Sequence, residues 1–128
     1  MPASQPLRVA VVGAGAFGRN HLRVYRELEQ AGEAVQLAAV VDRNAAVAAE
    51  AAAKFGVPPF ETIELCLEAV APLHAASVCV PTVHHASTAA PLLAAGLDLL
   101  IEKPLAASLA DADSILELSR RHGRIVQA

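Results

Sequence analysis

The chain has 128 residues, 55% hydrophobic, 18% charged and 3% aromatic, with 10 Lys and Arg against 13 Asp and Glu for a net charge of −3. That is one domain with room for a true core, built of alanine, valine and leucine, and neither a disordered nor a disulfide-stapled chain. No basic face suits a nucleic-acid backbone, and the most apolar later stretch, residues 86–101, is broken by Pro91, Gly96 and Asp98, so it cannot span a membrane.

In chain order, Met1 to Pro6 has neither a charged start nor a long apolar run, and reads as a short disordered lead rather than a signal peptide. Leu7-Arg8-Val9-Ala10-Val11-Val12 is a first apolar strand, followed at once by the turn Gly13-Ala14-Gly15-Ala16-Phe17-Gly18. Leu22, Tyr25 and Leu28 then recur at helical spacing, and Gly32 marks a stop. Residues 35–41 form a second strand ending at Asp42. Asn44 caps a helix over 45–54 that Gly56 ends. Residues 57–60, with two prolines, suit only an edge strand. Thr62 caps a helix over 63–70, and residues 75–80 are a fourth strand ending at Pro81. A helix over 84–95, a strand over 97–101, a Ser108-capped helix turning Ala112, Ile115 and Leu116 inward, and a short strand over 124–127 complete the chain.

Strands alternate with helices and are continuously apolar, the mark of a parallel sheet covered on both faces. The fold class is therefore α/β: a doubly wound parallel sheet of the Rossmann type, strand order 3-2-1-4-5-6, in three α/β/α layers over residues 1–128. Ligands of such sheets lie at the carboxyl ends of the strands. Gly13, Asp42, Pro81 and Lys103 therefore share one edge.

The glycine turn has the chemistry of a pyrophosphate cradle. Gly13 permits a tight exit from the strand, Gly15 lets the backbone approach phosphate, and Gly18 lets the helix pack closely on the strand. The N–H groups around Ala16 and Phe17 then point at the anion along the helix dipole. Asp42 lies 24 residues after Gly18, where a carboxylate can accept both ribose hydroxyls and repel a 2′-phosphate; this favours NAD. A plain helix cap is the alternative for Asp42. Arg43 is open between stacking on adenine, attracting the 2′-phosphate of NADP, and a solvated charge.

Glu102-Lys103-Pro104 closes a buried strand with an ionisable pair, which core packing explains poorly, although a surface salt bridge is open. Pro104 gives that turn a fixed shape. A lysine beside an oxidised nicotinamide feels the ring's positive charge, which favours its neutral form and suits it to proton exchange with an alcohol. Cys66 and Cys79, far apart, read as reduced and buried, with no metal site and a cytoplasmic setting.

Together, Gly13 to Gly18, Asp42, Val80-Pro81-Thr82-Val83-His84-His85 and Glu102-Lys103-Pro104 resemble the N-terminal domain of the glucose–fructose oxidoreductase, inositol dehydrogenase and rhizopine-catabolism family (Gfo/Idh/MocA), over residues 7–128. The resemblance implies an NAD(P)-dependent oxidoreductase acting on a secondary alcohol of a sugar, polyol or nucleotide-sugar. It makes Lys103 the catalytic residue beside the nicotinamide. It implies cofactor contacts from the Pro81, Thr82 and Glu102 turns. His85 falls 11 residues before Gly96, at the family's turn histidine, and is open between orienting that loop, touching the cofactor and starting a helix. The family's usual Thr-Pro-Asn turn is here Val80-Pro81-Thr82, which weakens the contact expected from it. Family members continue into a second domain with the substrate pocket, a catalytic histidine and the dimer surface. This chain is therefore expected to bind cofactor yet be catalytically incomplete, and the whole protein to be a homo-oligomer. His21 is open between a structural and a phosphate-proximal role, while His74, His84 and His122 read as surface or loop residues. A rival reading is a regulatory module that senses NAD(H) without chemistry; Glu102-Lys103-Pro104 favours the enzyme.

Overall fold

The computed structural model describes residues 5–128; the lead expected at the N-terminus lies outside them as far as Ser4. Six strands form a single parallel sheet: β1 (Leu7–Val12), β2 (Val35–Val41), β3 (Pro59–Phe60), β4 (Ala75–Val78), β5 (Asp98–Ile101) and β6 (Val126–Gln127). Their order is β3-β2-β1-β4-β5-β6, the doubly wound arrangement expected from the alternation of strands and helices. The five helices among the described residues are α1 (Ala16–Gln30), α2 (Ala45–Phe55), α3 (Ile63–Val70), α4 (His85–Ala94) and α5 (Leu109–His122).

Alternation along β1 builds the core on two faces. Val9 and Val11 pack with Leu22 of α1 and Ala51 and Ala52 of α2. Ala10 and Val12 pack with Cys66 of α3, Leu92 and Leu93 of α4, and Ile115 of α5. The β1–β2 register slips between Val9 and Ala10, so that Val9 pairs with Leu37 and Ala10 with Ala39. Helix starts follow their polar residues: Asn44 Oδ1 accepts from the N–H groups of Ala46 and Val47, Thr62 Oγ1 from Leu65 and Ser108 Oγ from Asp111. Gly56 and Gly123 end α2 and α5 in the left-handed conformation.

Several expected details are corrected. Leu28 and Leu116 are exposed, not inward. A side chain three residues on is turned about 60° from its predecessor, so Leu28 has rotated away from the buried Leu22 direction, and Ile115 already fills the inward position beside Leu116. Strand β4 stops at Val78 rather than residue 80, because Gly13 turns its partner strand away there. Residues Thr82–His84 then form one 3₁₀ turn before α4 begins at His85. Strand β5 starts at Asp98 instead of 97, and β6 shrinks to two residues.

Among the described residues, no helix is long and apolar enough to cross a membrane.

Candidate functional site

A cleft of about 660 Å³ runs along the carboxyl ends of the strands. Gly13, Gly15, Ala16, Phe17, Asp42, Arg43, Pro81, Thr82, His85, Glu102 and Lys103 all line it. The sheet order sets their sequence along the edge: Asp42 after β2, the glycine turn after β1, Pro81 after β4 and Lys103 after β5. Of the expected site residues, Gly18 alone is absent from the lining.

The three glycines of the turn have separate reasons to be glycine. Gly13 has φ +97°, and a Cβ there would lie 2.7 Å from the backbone carbonyl of Cys79. At Gly18 a Cβ would fall 1.7 Å from the carbonyl oxygen of Gly13, so this residue serves the contact between helix and turn rather than a ligand. Nothing lies within 4 Å of a Cβ built on Gly15, which faces open space. Gly15 is the N-cap of α1 and no side chain caps the helix. Among the described residues, the N–H groups of Gly15, Ala16 and Phe17 have no acceptor. Uncapped donors beside a bare glycine, at the positive end of a helix dipole and with no acidic residue in the first turn, suit an anion. The residues present therefore fit the pyrophosphate of a dinucleotide.

Asp42 is fixed before any ligand arrives. Its Oδ2 accepts from the Ala14 N–H at 2.9 Å and its Oδ1 from the Asn44 N–H at 2.9 Å. The helix cap itself is Asn44, so the cap alternative for Asp42 does not hold. The carboxylate ties the glycine turn to the start of α2 and retains lone pairs toward the cleft. Arg43 is exposed and lines the cleft without a hydrogen-bond partner among the described residues.

At the other end, Glu102 Oε1 lies 3.0 Å from His21 Nε2. That hydrogen bond, with smaller help from Lys103, holds the Glu102 carboxyl below the usual range, so it is ionised at neutral pH. Lys103 follows as an exposed residue with a cis bond to Pro104. The alternative of a surface salt bridge with Glu102 does not form among the described residues; the side-chain partner of Glu102 is His21.

His85 is 1% exposed, with Nδ1 3.1 Å from the Leu105 carbonyl and Nε2 2.9 Å from the Val80 carbonyl. It therefore joins the turn after β4 to the turn after β5 and orients both loops. Burial pushes the Cys79 thiol up to about 12, aided by the Glu102 charge, and burial also pushes Cys66 up to about 11. Both are free, Cys66 buried and Cys79 half-buried.

Three groups were missed by sequence reasoning. Glu61 to Glu64 line the cleft because β3 ends on the same edge as the other strands, a consequence of parallel order that the short strand concealed. Ser87 and Thr88 enter from the first turn of α4. His84, expected at the surface, also lines the cleft. His74 is instead structural, its Nδ1 accepting the Arg8 N–H at 2.9 Å.

Fold and cleft together define a dinucleotide-binding domain of the Rossmann class. Residues 7–128 match the Gfo/Idh/MocA family model, described as the oxidoreductase family with an NAD-binding Rossmann fold, and the chain belongs to that family. It is 34% identical over 93% of its length to a 4-carboxy-2-hydroxymuconate-6-semialdehyde dehydrogenase from Sphingobium sp., covering 36% of that protein. It is 38% identical over 94% of its length to an inositol 2-dehydrogenase from Leifsonia xyli, covering 34% of it. In structure it is similar to UDP-N-acetylglucosamine 3-dehydrogenase from Acidithiobacillus ferrooxidans, with a TM-score of 0.82 at 30% identity over 96% of this chain and 38% of that one. The chain thus spans about a third of the length of the relatives it matches.

Proposed function

We propose that this domain is the cofactor half of an enzyme that moves a hydride between NAD and a secondary alcohol carbon, on a sugar, polyol or nucleotide-sugar. The observation that carries the reading is the lining of one cleft by both the glycine turn and Glu102-Lys103. A phosphate cradle alone would serve any nucleotide-binding module. A lysine amine two strand positions along the same edge adds a proton-transfer group to that cradle.

In this reading the N–H groups of Gly15, Ala16 and Phe17 hold the pyrophosphate, and Asp42 holds the adenosine ribose. Because two backbone donors already orient its carboxylate, Asp42 opposes a 2′-phosphate without first having to be ordered. Arg43 lies against the adenine side. The nicotinamide, when bound, supplies a hydride acceptor or donor. Lys103 hydrogen-bonds the substrate hydroxyl and, as the neutral amine, takes its proton as the alcohol becomes a carbonyl, returning it in the reverse direction. Pro81, Thr82 and the His85-braced loop hold the far wall of the cleft.

The similarity to enzymes named for inositol and for UDP-N-acetylglucosamine supports the polyol and nucleotide-sugar classes. Since those proteins are about three times longer, the substrate pocket, a further catalytic histidine and the surface for self-association belong to a second domain in this proposal. These 128 residues alone bind cofactor and turn over slowly or not at all.

Replacing Lys103 with alanine in the two-domain enzyme tests the assignment. The expected outcome is a fall in kcat of about 10²–10⁴-fold with NAD affinity nearly intact. An unchanged kcat would remove Lys103 from the chemistry and return the domain to a sensing role.

A further inference from the structure

Behind the cleft floor lies a line of polar side chains that cofactor binding does not itself require. His21 and Tyr25 lie one turn apart on the same side of α1. Ser77 is fully buried in β4, in a strand otherwise made of alanine and valine. The Tyr25 hydroxyl is 2.7 Å from Ser77 Oγ, Ser77 Oγ is 2.8 Å from His21 Nδ1, and His21 Nε2 is 3.0 Å from Glu102 Oε1. No buried side-chain nitrogen or oxygen among the described residues lacks a partner. Hydrocarbon would fill this space at less cost than three polar groups, so packing alone does not explain them.

The hydrogen inventory gives the line a direction. The Glu102 carboxylate only accepts, so His21 Nε2 carries a proton and donates it. With the ring neutral, Nδ1 then offers a lone pair, and the hydroxyl hydrogen of Ser77 is the one available to fill it. Ser77 Oγ in turn accepts from Tyr25 O–H, a phenol that burial keeps protonated. All donors point toward Glu102. The chain ends at the residue beside Lys103, where both line the cleft.

We propose that His21 is a positioning residue, locked by Ser77 and Tyr25, which fixes the Glu102 carboxylate at the nicotinamide end of the cleft and so sets the preference between oxidised and reduced cofactor. This rests on the function proposed above, which puts Glu102 and Lys103 beside the nicotinamide. The oxidised ring is cationic and the reduced ring neutral. A carboxylate held in place beside the ring attracts the cationic form and not the neutral one, so it favours the oxidised cofactor. With His21 gone the carboxylate swings to solvent and that advantage falls.

The test is calorimetric affinity for NAD+, NADH and ADP-ribose, measured on wild type, His21→Leu and Ser77→Ala. Ser77→Ala is the gentler change, since Ala75 and Ala76 already precede it in the strand. ADP-ribose lacks the nicotinamide, so its affinity is expected to stay within about twofold throughout. The Kd ratio of NAD+ to NADH is expected to rise about fivefold in His21→Leu, and by less in the same direction in Ser77→Ala. An unchanged ratio with ADP-ribose still binding overturns the positioning role alone. Absence of ADP-ribose binding to wild type overturns the cofactor reading beneath it. A second readout needs no ligand: the nitrogen-15 spectrum of the His21 imidazole at pH 8. It is expected to show a proton on Nε2 and none on Nδ1 in wild type, and a mixture of tautomers in Ser77→Ala. A proton on Nδ1 in wild type contradicts the directed chain.

Discussion

Gly15 and Gly18 sit three positions apart in the same motif and make opposite predictions. A methyl group at Gly15 meets nothing in the free protein. Gly15→Ala should therefore cost at most about 1 kcal/mol of stability, as an alanine N-cap does, while lowering NAD affinity at least about tenfold because the methyl occupies the phosphate approach. At Gly18 the methyl meets the Gly13 carbonyl, so Gly18→Ala should lose about 1–3 kcal/mol or more through overpacking, visible as a fall in Tm without ligand. Equal stability losses in the two variants would contradict this division. The Cys79 thiol belongs to the same scale. Held protonated up to about 12, it should resist alkylation by iodoacetamide at pH 8 although it lines the cleft. Rapid labelling of the folded protein would overturn its assigned protonation. The sign for stability is that of a raised acid: the contribution is full below the ordinary thiol value and is lost as pH climbs toward 12.

At the scale of elements, caps and glycine stops were legible because they act through neighbours in sequence. Asn44, Thr62, Ser108, Gly56 and Gly123 all sit where their chemistry places them. Asn44→Ala should cost about 1 kcal/mol in denaturant unfolding, since two N–H groups of α2 lose their acceptor; no measurable loss would mean solvent caps the helix equally well. Strand β4 was less legible. Apolar residues continue through Val80, but the strand ends where Gly13 turns β1 away, a limit set by a residue far off in sequence. The same holds within the site. The glycine turn, Asp42 and Lys103 could be read from motif and spacing, whereas the His21–Glu102 bond joins residues 81 apart in sequence. No local pattern marks it; the signal was an unassigned histidine one turn into α1. Leu28 shows the opposite error, in which a local spacing of three looks periodic yet rotates steadily off the buried face.

For the molecule as a whole, the doubly wound sheet explains why so few residues suffice to describe a cofactor cleft. Strand order brings the ends of β2, β1, β4 and β5 side by side, so the residues proposed to face adenosine and nicotinamide come from successive crossovers. Two cores, one on each face, hold the sheet independently of the cleft. Cofactor should then add to stability by simple mass action: NAD at a hundred times its Kd is worth about 2.7 kcal/mol, a rise in Tm on the order of 10 °C. The proposed preference for NAD over NADP belongs to this scale too, because Asp42 is oriented by two elements at once, the glycine turn and α2. Asp42→Ala should erase most of the discrimination against NADP while leaving the fold intact.

The most direct test of the cofactor cleft is a calorimetric titration of NAD and of NADP against these 128 residues. One NAD per chain is expected, bound at least about tenfold more tightly than NADP. Failure to bind NAD, or tighter binding of NADP, would contradict it.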